Sequence, residues 1–271
     1  MMKRKTNGDG GARLATVCAV LAAFGCGEED KPIFHSEAVE PDSPTYSGDV
    51  LNGVPHGQGA FIFPNGERYE GEVMDGKPNG RGAYLFANGD RYEGDYLDGK
   101  SHGQGRITMK SGAYYEGQWR RGMMEGNGTY AHADGRRYIG EFRFGEIEGS
   151  GIMTYPDGSR YEGDFLHGAR HGQGSLTTPD GKELSGEFRG DAPNGYVIVK
   201  VKGTVYRGEV RDGYRHGQGS FTAPDGSSYL GTWRMGKRHG RGTTFDAEGS
   251  VTFDGMWEND LARKNTLSTP K

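Results

Sequence analysis

The sequence predicts an all-β protein: a single-layer, elongated and twisted antiparallel sheet of about nine stacked hairpins. Three observations support this prediction. A motif returns every 23 residues along most of the 271-residue chain, apolar and polar residues alternate within each copy, and Asn-Gly or Asp-Gly pairs separate the copies. A fixed repeat predicts the fold better than the pattern of any single segment, because each copy is one supersecondary unit that stacks on its neighbours.

The repeat is clearest in the stretch that begins Tyr69-Glu70-Gly71-Glu72-Val73 and ends at Gly82. We interpret its aromatic and glycine positions as structural. The first position of successive copies is held by Tyr46, Tyr69, Tyr92, Tyr115, Tyr138, Tyr161, Leu184, Tyr206, Tyr229 and Phe253. A glycine follows two residues later, for example at Gly71, Gly94, Gly117, Gly140, Gly163, Gly208 and Gly231.

Each copy is predicted to form one hairpin. Tyr69, Gly71 and Val73 face one side of the first strand and the glutamates between them face the other, a period typical of half-buried strands. Residues 75–79 are rich in turn formers and are expected to be the loop within the hairpin. Pairs such as Asn65-Gly66 predict a two-residue turn to the next copy, because both residues can adopt positive φ.

Glycine weakens the interior of a strand, so its recurrence needs a reason. We expect the missing side chains of Gly71, Gly80 and Gly82 to leave room for aromatic rings on the same face. Rings packed on glycines would let a single-layer sheet bury apolar surface.

Two places depart from the repeat. The seventh copy has Leu184 in place of tyrosine, with Asp191 and Val197 where glycines recur. We interpret this copy as drift in a repeat array, with a kink or a docking site as the alternative. The tenth copy is expected to have only its first strand, ending at Trp257, followed by a polar tail at 258–271.

Composition agrees with a thin repetitive β structure. The chain has 50 Gly without a G-X-Y period, which excludes collagen, and its 15 Tyr and 12 Phe are regularly spaced, which is not typical of disorder. The two cysteines, Cys18 and Cys26, precede the repeats, so no disulfide can join one repeat to another.

The first 25 residues are predicted to be a signal peptide. Lys3, Arg4, Lys5 and Arg13 precede a short apolar run from Leu14 to Phe24, too short to span a bilayer. The run ends Ala23-Phe24-Gly25-Cys26, which resembles the lipobox of bacterial lipoproteins, although Ala23 and Phe24 depart from its usual residues. The resemblance implies cleavage before Cys26 and its lipidation. Simple secretion or a short buried helix are the alternatives.

Residues 26–45 are predicted to be an acidic disordered tether, because they are polar, carry several Asp and Glu residues and lack periodicity. Gly27 follows the cysteine, which in lipoproteins of enteric bacteria implies sorting to the outer membrane. The expected location is therefore the cell envelope, as an outer-membrane lipoprotein on its periplasmic or surface face. A secreted or periplasmic protein is the alternative.

Residues 46–257 match the pattern Y-x-G-x-[W/F/Y/V]-x-x-G-x-x-x-G-x-G, which resembles the MORN repeat (membrane occupation and recognition nexus). The resemblance implies twisted antiparallel hairpins used for binding, scaffolding or dimerisation, with phospholipid contact often proposed. It implies no catalysis and no cofactor.

Candidate chemical sites are few. Histidines recur at one position of the expected mid-hairpin loop, but adjacent copies lie about 10 Å apart, too far to share a zinc ion with Zn–N bonds of about 2.0–2.1 Å. We interpret them as solvated turn residues: His56, His102, His171, His216 and His239. Glu70, Glu93, Glu116 and Glu162 are expected to form cross-strand ion pairs with Arg68, Arg91, Arg137 and Arg160. No catalytic triad, Walker motif or CxxC pattern is present.

The sequence therefore predicts a non-catalytic scaffold or protein-interaction module at the bacterial envelope, with an envelope protein or a second copy as partner. The formal net charge of −4, more negative without the basic segment 1–25, argues against nucleic-acid binding. The alternative is a module that binds phospholipid or glycan through the aromatic face of the sheet.

Overall fold

The computed structural model describes residues 44–263, which form twenty β-strands. Within these residues there is no helix, and therefore none that could cross a membrane. The predictions for residues 1–25, for Cys26, for the tether up to residue 43 and for the tail from residue 264 lie outside the described residues. The prediction of an all-β antiparallel fold is confirmed.

The strands fall into two compact units. The N-terminal unit comprises residues 44–160 and 165–168, and the C-terminal unit comprises residues 161–164 and 169–263. Strands β1 to β10 belong to the first: Thr45–Leu51, Val54–Ile62, Arg68–Met74, Lys77–Leu85, Arg91–Leu97, Lys100–Thr108, Tyr114–Arg120, Met123–Ala131, Arg137–Arg143 and Glu146–Thr154. Strand β11, Arg160–Leu166, is divided between the units. Strands β12 to β20 belong to the second: Ala169–Thr177, Glu183–Arg189, Ala192–Val201, Thr204–Arg211, Tyr214–Thr222, Ser228–Arg234, Lys237–Phe245, Val251–Glu258 and Leu261–Arg263.

Within each unit every strand pairs antiparallel with the next one in sequence, so each unit is a single-layer sheet of hairpins. The register places like residues opposite each other: in β3 and β4, Tyr69 faces Tyr84 and Gly71 faces Gly82. Along β3, Tyr69 and Val73 are buried whereas Glu70 and Glu72 are exposed. The predicted period-two alternation is therefore present.

The turn within each hairpin is tighter than the sequence suggested. It consists of two residues, such as Asp75 (φ 49°) and Gly76 (φ 75°), both left-handed as a type I′ turn requires. The expected loop at residues 75–79 is wrong in its second part, because Lys77, Pro78 and Asn79 lie in strand β4.

The connection between copies is also different from the prediction. Asn65 does not take positive φ, and only Gly66 (φ 84°) does. Gly66 N–H donates to the Phe63 carbonyl at 2.9 Å, and Phe63 N–H donates to the Glu67 carbonyl at 3.0 Å. These bonds close a loop with one left-handed residue at the glycine, a common form of three-residue hairpin loop. The two-residue turns thus lie inside the hairpins rather than between them.

Most hairpins contain a β-bulge in their second strand. In β3 and β4 the register shifts between Gly71 and Val73. The backbone N–H of Arg81 is consequently free of the ladder, and it donates to the Glu72 carboxylate at 3.0 Å. Asp95, Gln118, Asp164 and Glu209 accept the same hydrogen bond in their own hairpins. The polar residue after the repeat glycine therefore caps the bulge.

The core is made of aromatic rings that lie on glycines. A Cβ built on Gly82 would be 2.5 Å from Cε2 of Tyr69, so the ring occupies the space a side chain would need. Tyr69 also contacts the next ring edge to face, with its centroid 5.2 Å from that of Tyr96. Edge-to-face contacts of this kind are favourable beyond the area they bury.

The seventh hairpin is irregular in a compensated way. Val197 pairs with Gly186 at the position where other hairpins pair two glycines, as Gly71 and Gly82 do. Leu184 lacks the long ring of tyrosine, and the Val197 side chain, which is 0% exposed, fills the space instead. The pair of substitutions preserves packing, and no kink needs to be invoked to explain it.

The last hairpin corrects one prediction. Strand β19 continues to Glu258, and the short strand β20 pairs with it through residues 261–263. The tenth copy therefore has a second strand, and the first residues of the predicted polar tail at 258–271 belong to the fold.

Candidate functional site

The repeated tyrosines are structural residues, all of them buried except Tyr46 in the first strand. Each donates its hydroxyl to the backbone carbonyl three residues later, as Tyr69 does to Glu72 at 2.6 Å and Tyr115 does to Gln118 at 2.8 Å. The same contact is made by Tyr46, Tyr92, Tyr138, Tyr161, Tyr206 and Tyr229. Glycines Gly71, Gly94, Gly117, Gly140, Gly163, Gly208 and Gly231 lie on the same face, within contact of these rings or of the facing backbone.

Burial changes the acid–base behaviour of these tyrosines. It raises the pKa of the Tyr69 and Tyr92 hydroxyls well above the ordinary value, and the pKa of Tyr229 to about 12. The neighbouring Glu72 and Asp95 carboxylates act in the same direction on Tyr69 and Tyr92. All three hydroxyls are therefore neutral donors at physiological pH.

The burial of the rings bears on the alternative function, a module that binds phospholipid or glycan through the aromatic face. Recognition of a glycan or lipid by the aromatic face requires accessible ring faces. Tyr69, Tyr115 and Tyr138 are 0% exposed, and Trp119, Trp233 and Trp257 are also buried. The rings at these repeat positions are thus used for folding, whereas Phe144, Tyr196 and Tyr214 are exposed at other positions.

The opposite side of the sheet is polar and accessible. In the N-terminal unit it forms an open groove of about 680 Å³ across strands β3 to β7. We call this the polar groove. The backbone of the paired glycines Gly71, Gly82, Gly94 and Gly105 forms its floor, together with Ala83 and Gln104. The charged side chains that line it are Glu70, Arg81, Arg91, Glu93, Arg106 and Glu116.

The charges of the polar groove pair with one another. Arg81 reaches Asp95 at 3.4 Å and Arg106 reaches Glu116 at 3.2 Å, both across strands. The prediction that Arg68 and Arg91 form ion pairs across strands is wrong. Arg68 binds Glu70 at 2.9 Å and Arg91 binds Glu93 at 2.8 Å, each within its own strand. Exposed ion pairs contribute about 0–1 kcal/mol each, so these side chains can exchange partners at little cost.

The row of repeated histidines lies in strands and not in loops. His56, His102, His171, His216 and His239 lie in second strands beside the bulge glycines rather than in the turns where the sequence placed them. Residues 44–263 contain no cluster of His, Cys, Asp or Glu side chains that could hold a metal ion.

Two arginine–aspartate ion pairs in the C-terminal unit, one of them buried, were missed by reasoning from the sequence. Arg170 is 2% exposed, and its Nε donates to the Asp191 carboxylate at 3.0 Å. Arg238 binds Asp260 in the same way at 3.2 Å. The signal was present: in both cases arginine is the second residue of a second strand, and aspartate replaces the glycine at the second position of the turn in the next hairpin. Asp191 is therefore a paired substitution rather than drift.

Comparison with known proteins identifies the repeats. The family model described as MORN repeat matches residues 46–68, 69–91, 92–114, 115–136, 138–160, 161–183, 206–228 and 229–251. The seventh hairpin, at residues 184–205, is outside these matches, in agreement with its altered core. No curated protein gives a significant match to the sequence.

Solved structures give weak likenesses. The TCP10 domain of Danio rerio CPAP, in complex with a peptide of Danio rerio STIL, is 20% identical with a TM-score of 0.36, covering 79% of this chain and 100% of that one. The Drosophila melanogaster SAS-4 TCP domain, in complex with a proline-rich motif of Ana2, is 14% identical with a TM-score of 0.28, covering 76% and 93%. A virginiamycin B lyase from Staphylococcus aureus is 12% identical with a TM-score of 0.16, covering 78% and 73%.

TM-scores this low carry no information about function, so the assignment rests on the repeats themselves. Eight matched copies cover most of the chain, and each has the tyrosine, the glycines and the hairpin described above. The chain belongs to the MORN-repeat family.

Proposed function

We propose that this protein is a non-catalytic scaffold whose polar groove binds a protein partner, and that a lipid on Cys26 holds it at the bacterial cell envelope. The observation that carries the proposal is the groove itself: an accessible surface of Arg and Glu side chains that the fold does not need. The partner is an envelope protein or a second copy of this chain.

Some side chains of the groove vary between repeats, whereas Glu70, Glu93 and Glu116 share one repeat position. The position of Arg81 is held by Gln58, Gln104, Asn127, Ser150 and Gln173 in other copies. The tyrosines, glycines and bulge caps recur because every hairpin needs them. A surface that differs from copy to copy supplies specificity without disturbing the fold.

The chemistry of the groove suits protein recognition. Arginine is enriched in protein interfaces, and complementary charges set the orientation of a partner and its association rate. The guanidinium of Arg106 also stacks 4.0 Å above the ring centroid of Tyr114, which holds it in place at the edge of the groove. A partner with alternating acidic and basic side chains could replace the ion pairs within the groove by pairs across the interface.

Attachment to the membrane is a separate part of the proposal. It is supported by the basic and apolar segment before Cys26 and by the lipobox resemblance. An outer-membrane lipoprotein facing the periplasm or the cell surface is the proposed location. Stable attachment requires more than one acyl chain, as lipidation of both the thiol and the new amino group would provide.

In-cell photo-crosslinking tests the groove. A photoreactive amino acid is placed at Gln104, which lines the groove, and in a matched strain at Gln173, the same repeat position in the C-terminal unit. We expect one discrete crosslinked protein from Gln104 only, lost when Arg106→Glu is added. Equal products from both positions, or none from Gln104, would argue against the groove as the binding surface.

Metabolic labelling tests the anchor. Cells that express the wild-type chain or Cys26→Ala are grown with a clickable fatty acid, and the purified protein is examined for label. The wild type should carry the label and sediment with membranes, and the variant should do neither. An unlabelled wild type would remove the lipid anchor from the proposal while leaving the groove to be judged by crosslinking.

A further inference from the structure

Three arginines of the C-terminal unit occupy one repeat position and stack on the aromatic core. They are Arg170, Arg215 and Arg238, each the second residue of a second strand. The guanidinium of Arg215 lies 4.0 Å from the ring centroid of Trp233, and that of Arg238 lies 4.0 Å from Trp257. Arg170 lies 5.7 Å from the rings of Tyr161 and Phe188.

Two of the three have an aspartate partner in the next turn. The Asp191 carboxylate accepts from the backbone N–H and from Nε of Arg170, both at 3.0 Å, and the Asp191 carbonyl accepts from the same guanidinium at 2.9 Å. Asp260 makes the same three bonds to Arg238. In each pair the carboxylate neutralises the cation, which is buried at Arg170 and partly exposed at Arg238, and accepts from its Nε.

Arg215 has no such partner. The turn beside Arg215 has Gly236 at the position that Asp191 and Asp260 occupy beside Arg170 and Arg238. Only the backbone carbonyl of Gly236 therefore accepts from the guanidinium, at 2.9 Å. Arg215 is 4% exposed, and its Nε has no acceptor among the described residues. A buried donor without an acceptor costs about 1–3 kcal/mol, and more when the donor is charged.

The space for a carboxylate is accessible from the turn. A Cβ built on Gly236 would meet one atom within 4 Å, Cδ1 of Tyr214, at an ordinary contact distance of 3.6 Å. Met235, beside it, is 60% exposed. Burial lowers the pKa of the Arg215 guanidinium to about 10, so the group is still a cation at neutral pH. Arg238 and Asp260 are close enough to act on it electrostatically, in opposite directions.

We propose that Arg215 and the Gly236 turn form a binding site for a carboxylate supplied from outside the chain. The ligand takes the place that the Asp191 and Asp260 side chains hold in the neighbouring hairpins, accepting from Arg215 Nε while the guanidinium remains on Trp233. Charged hydrogen bonds of this kind are about twice as strong as neutral ones. This proposal rests on the surroundings of Arg215 and is independent of the proposed partner binding at the polar groove.

An NMR titration of the full chain tests the proposal. The protein is labelled with ¹⁵N-arginine, and the Arg215 Nε–H signal is assigned from its loss in Arg215→Lys. Sodium acetate is added against sodium chloride at equal ionic strength. We expect the Arg215 signal to shift saturably with acetate and Tm to rise with it, while the Nε–H signals of Arg170 and Arg238 stay in place.

The matched variants are Gly236→Asp and Gly236→Asn, which place side chains of the same shape at the same left-handed residue. Aspartate should raise Tm, move the Arg215 signal without acetate and abolish its response to acetate. Asparagine should leave the response to acetate present. An Arg215 signal that ignores acetate in the wild type, or that responds equally in Gly236→Asp, would overturn the proposal.

A peptide arm identifies the source of the carboxylate. A short capped peptide with one central aspartate is compared with its asparagine counterpart. A shift at lower concentration than acetate, seen for the aspartate peptide alone, assigns the site to a side chain of a protein partner. A shift with acetate but not with the peptide assigns it to a small free carboxylate.

Discussion

The ring of Tyr69 occupies the space that a side chain at Gly82 would need. A Cβ on Gly82 would lie 2.5 Å from Cε2 of Tyr69 and 2.6 Å from Cζ, and the hydroxyl oxygen is also too close. Because Gly82 does not have positive φ, its requirement is steric and not conformational. The glycine and the tyrosine are therefore one packing unit, although thirteen positions of sequence separate them on two strands.

Gly82→Ala should lower the free energy of unfolding by about 1–3 kcal/mol, the usual cost of overpacking a dense core. Chemical denaturation measures the change. The same substitution in a Tyr69→Ala background should cost much less, because the clashing ring is gone and neighbouring residues couple. Additive costs in the two backgrounds would contradict the packing account.

Val197→Gly should destabilise the protein although it restores the repeat pattern. Val197 is fully buried and fills the space left by Leu184, so its removal opens a cavity. Leu184→Tyr alone should also destabilise, because the ring would meet the valine. The double variant should recover most of the loss. Thermal unfolding of the four proteins measures the coupling, and a double variant less stable than both single variants would sink the idea.

Glu72→Ala should cost more than Glu70→Ala, two residues away on the same face. Glu72 accepts the otherwise unpaired N–H of Arg81 at the bulge, a loss of about 1–3 kcal/mol. Glu70 forms an exposed pair with Arg68, which contributes about 0–1 kcal/mol. Urea denaturation of both variants compares them directly. Equal losses would mean that the cap does not hold the bulge.

Stability should fall at alkaline pH as the buried tyrosines ionise. Burial raises the pKa of Tyr229 to about 12 in the folded chain, although Arg238 acts in the opposite direction, whereas an unfolded tyrosine titrates near ~10. The fold therefore favours the neutral hydroxyl. This contribution is complete below about pH 10 and is lost as pH rises towards 12.

Absorbance at 295 nm during an alkaline titration, combined with urea melts at each pH, checks this prediction. Tyr229→Phe is the control, and its stability should depend less on pH in this window. A wild-type protein whose free energy of unfolding is constant from pH 9 to about pH 12 would contradict the buried state of these hydroxyls.

The sequence by itself determined the repeat unit, the strands and the antiparallel fold. These follow from period-two alternation and from a 23-residue spacing, and both are local properties of the chain. The position of each Tyr69-like residue and of each repeat glycine could therefore be read without the structure. The placement of the turns was less accurate, because Asn-Gly and Asp-Gly pairs are compatible with more than one hairpin loop.

The tertiary structure alone decided which irregular residues belong together. Val197 explains Leu184 only when the register pairs their strands, and Asp191 explains Arg170 only when the turn of one hairpin lies beside the strand of the previous one. Burial of the rings follows from the packing of neighbouring hairpins. Such contacts join residues that are distant in sequence, such as Arg170 and Asp191, and a pattern that repeats in every copy does not specify them. For the same reason, Arg215 emerges as a cation without a carboxylate only in three dimensions.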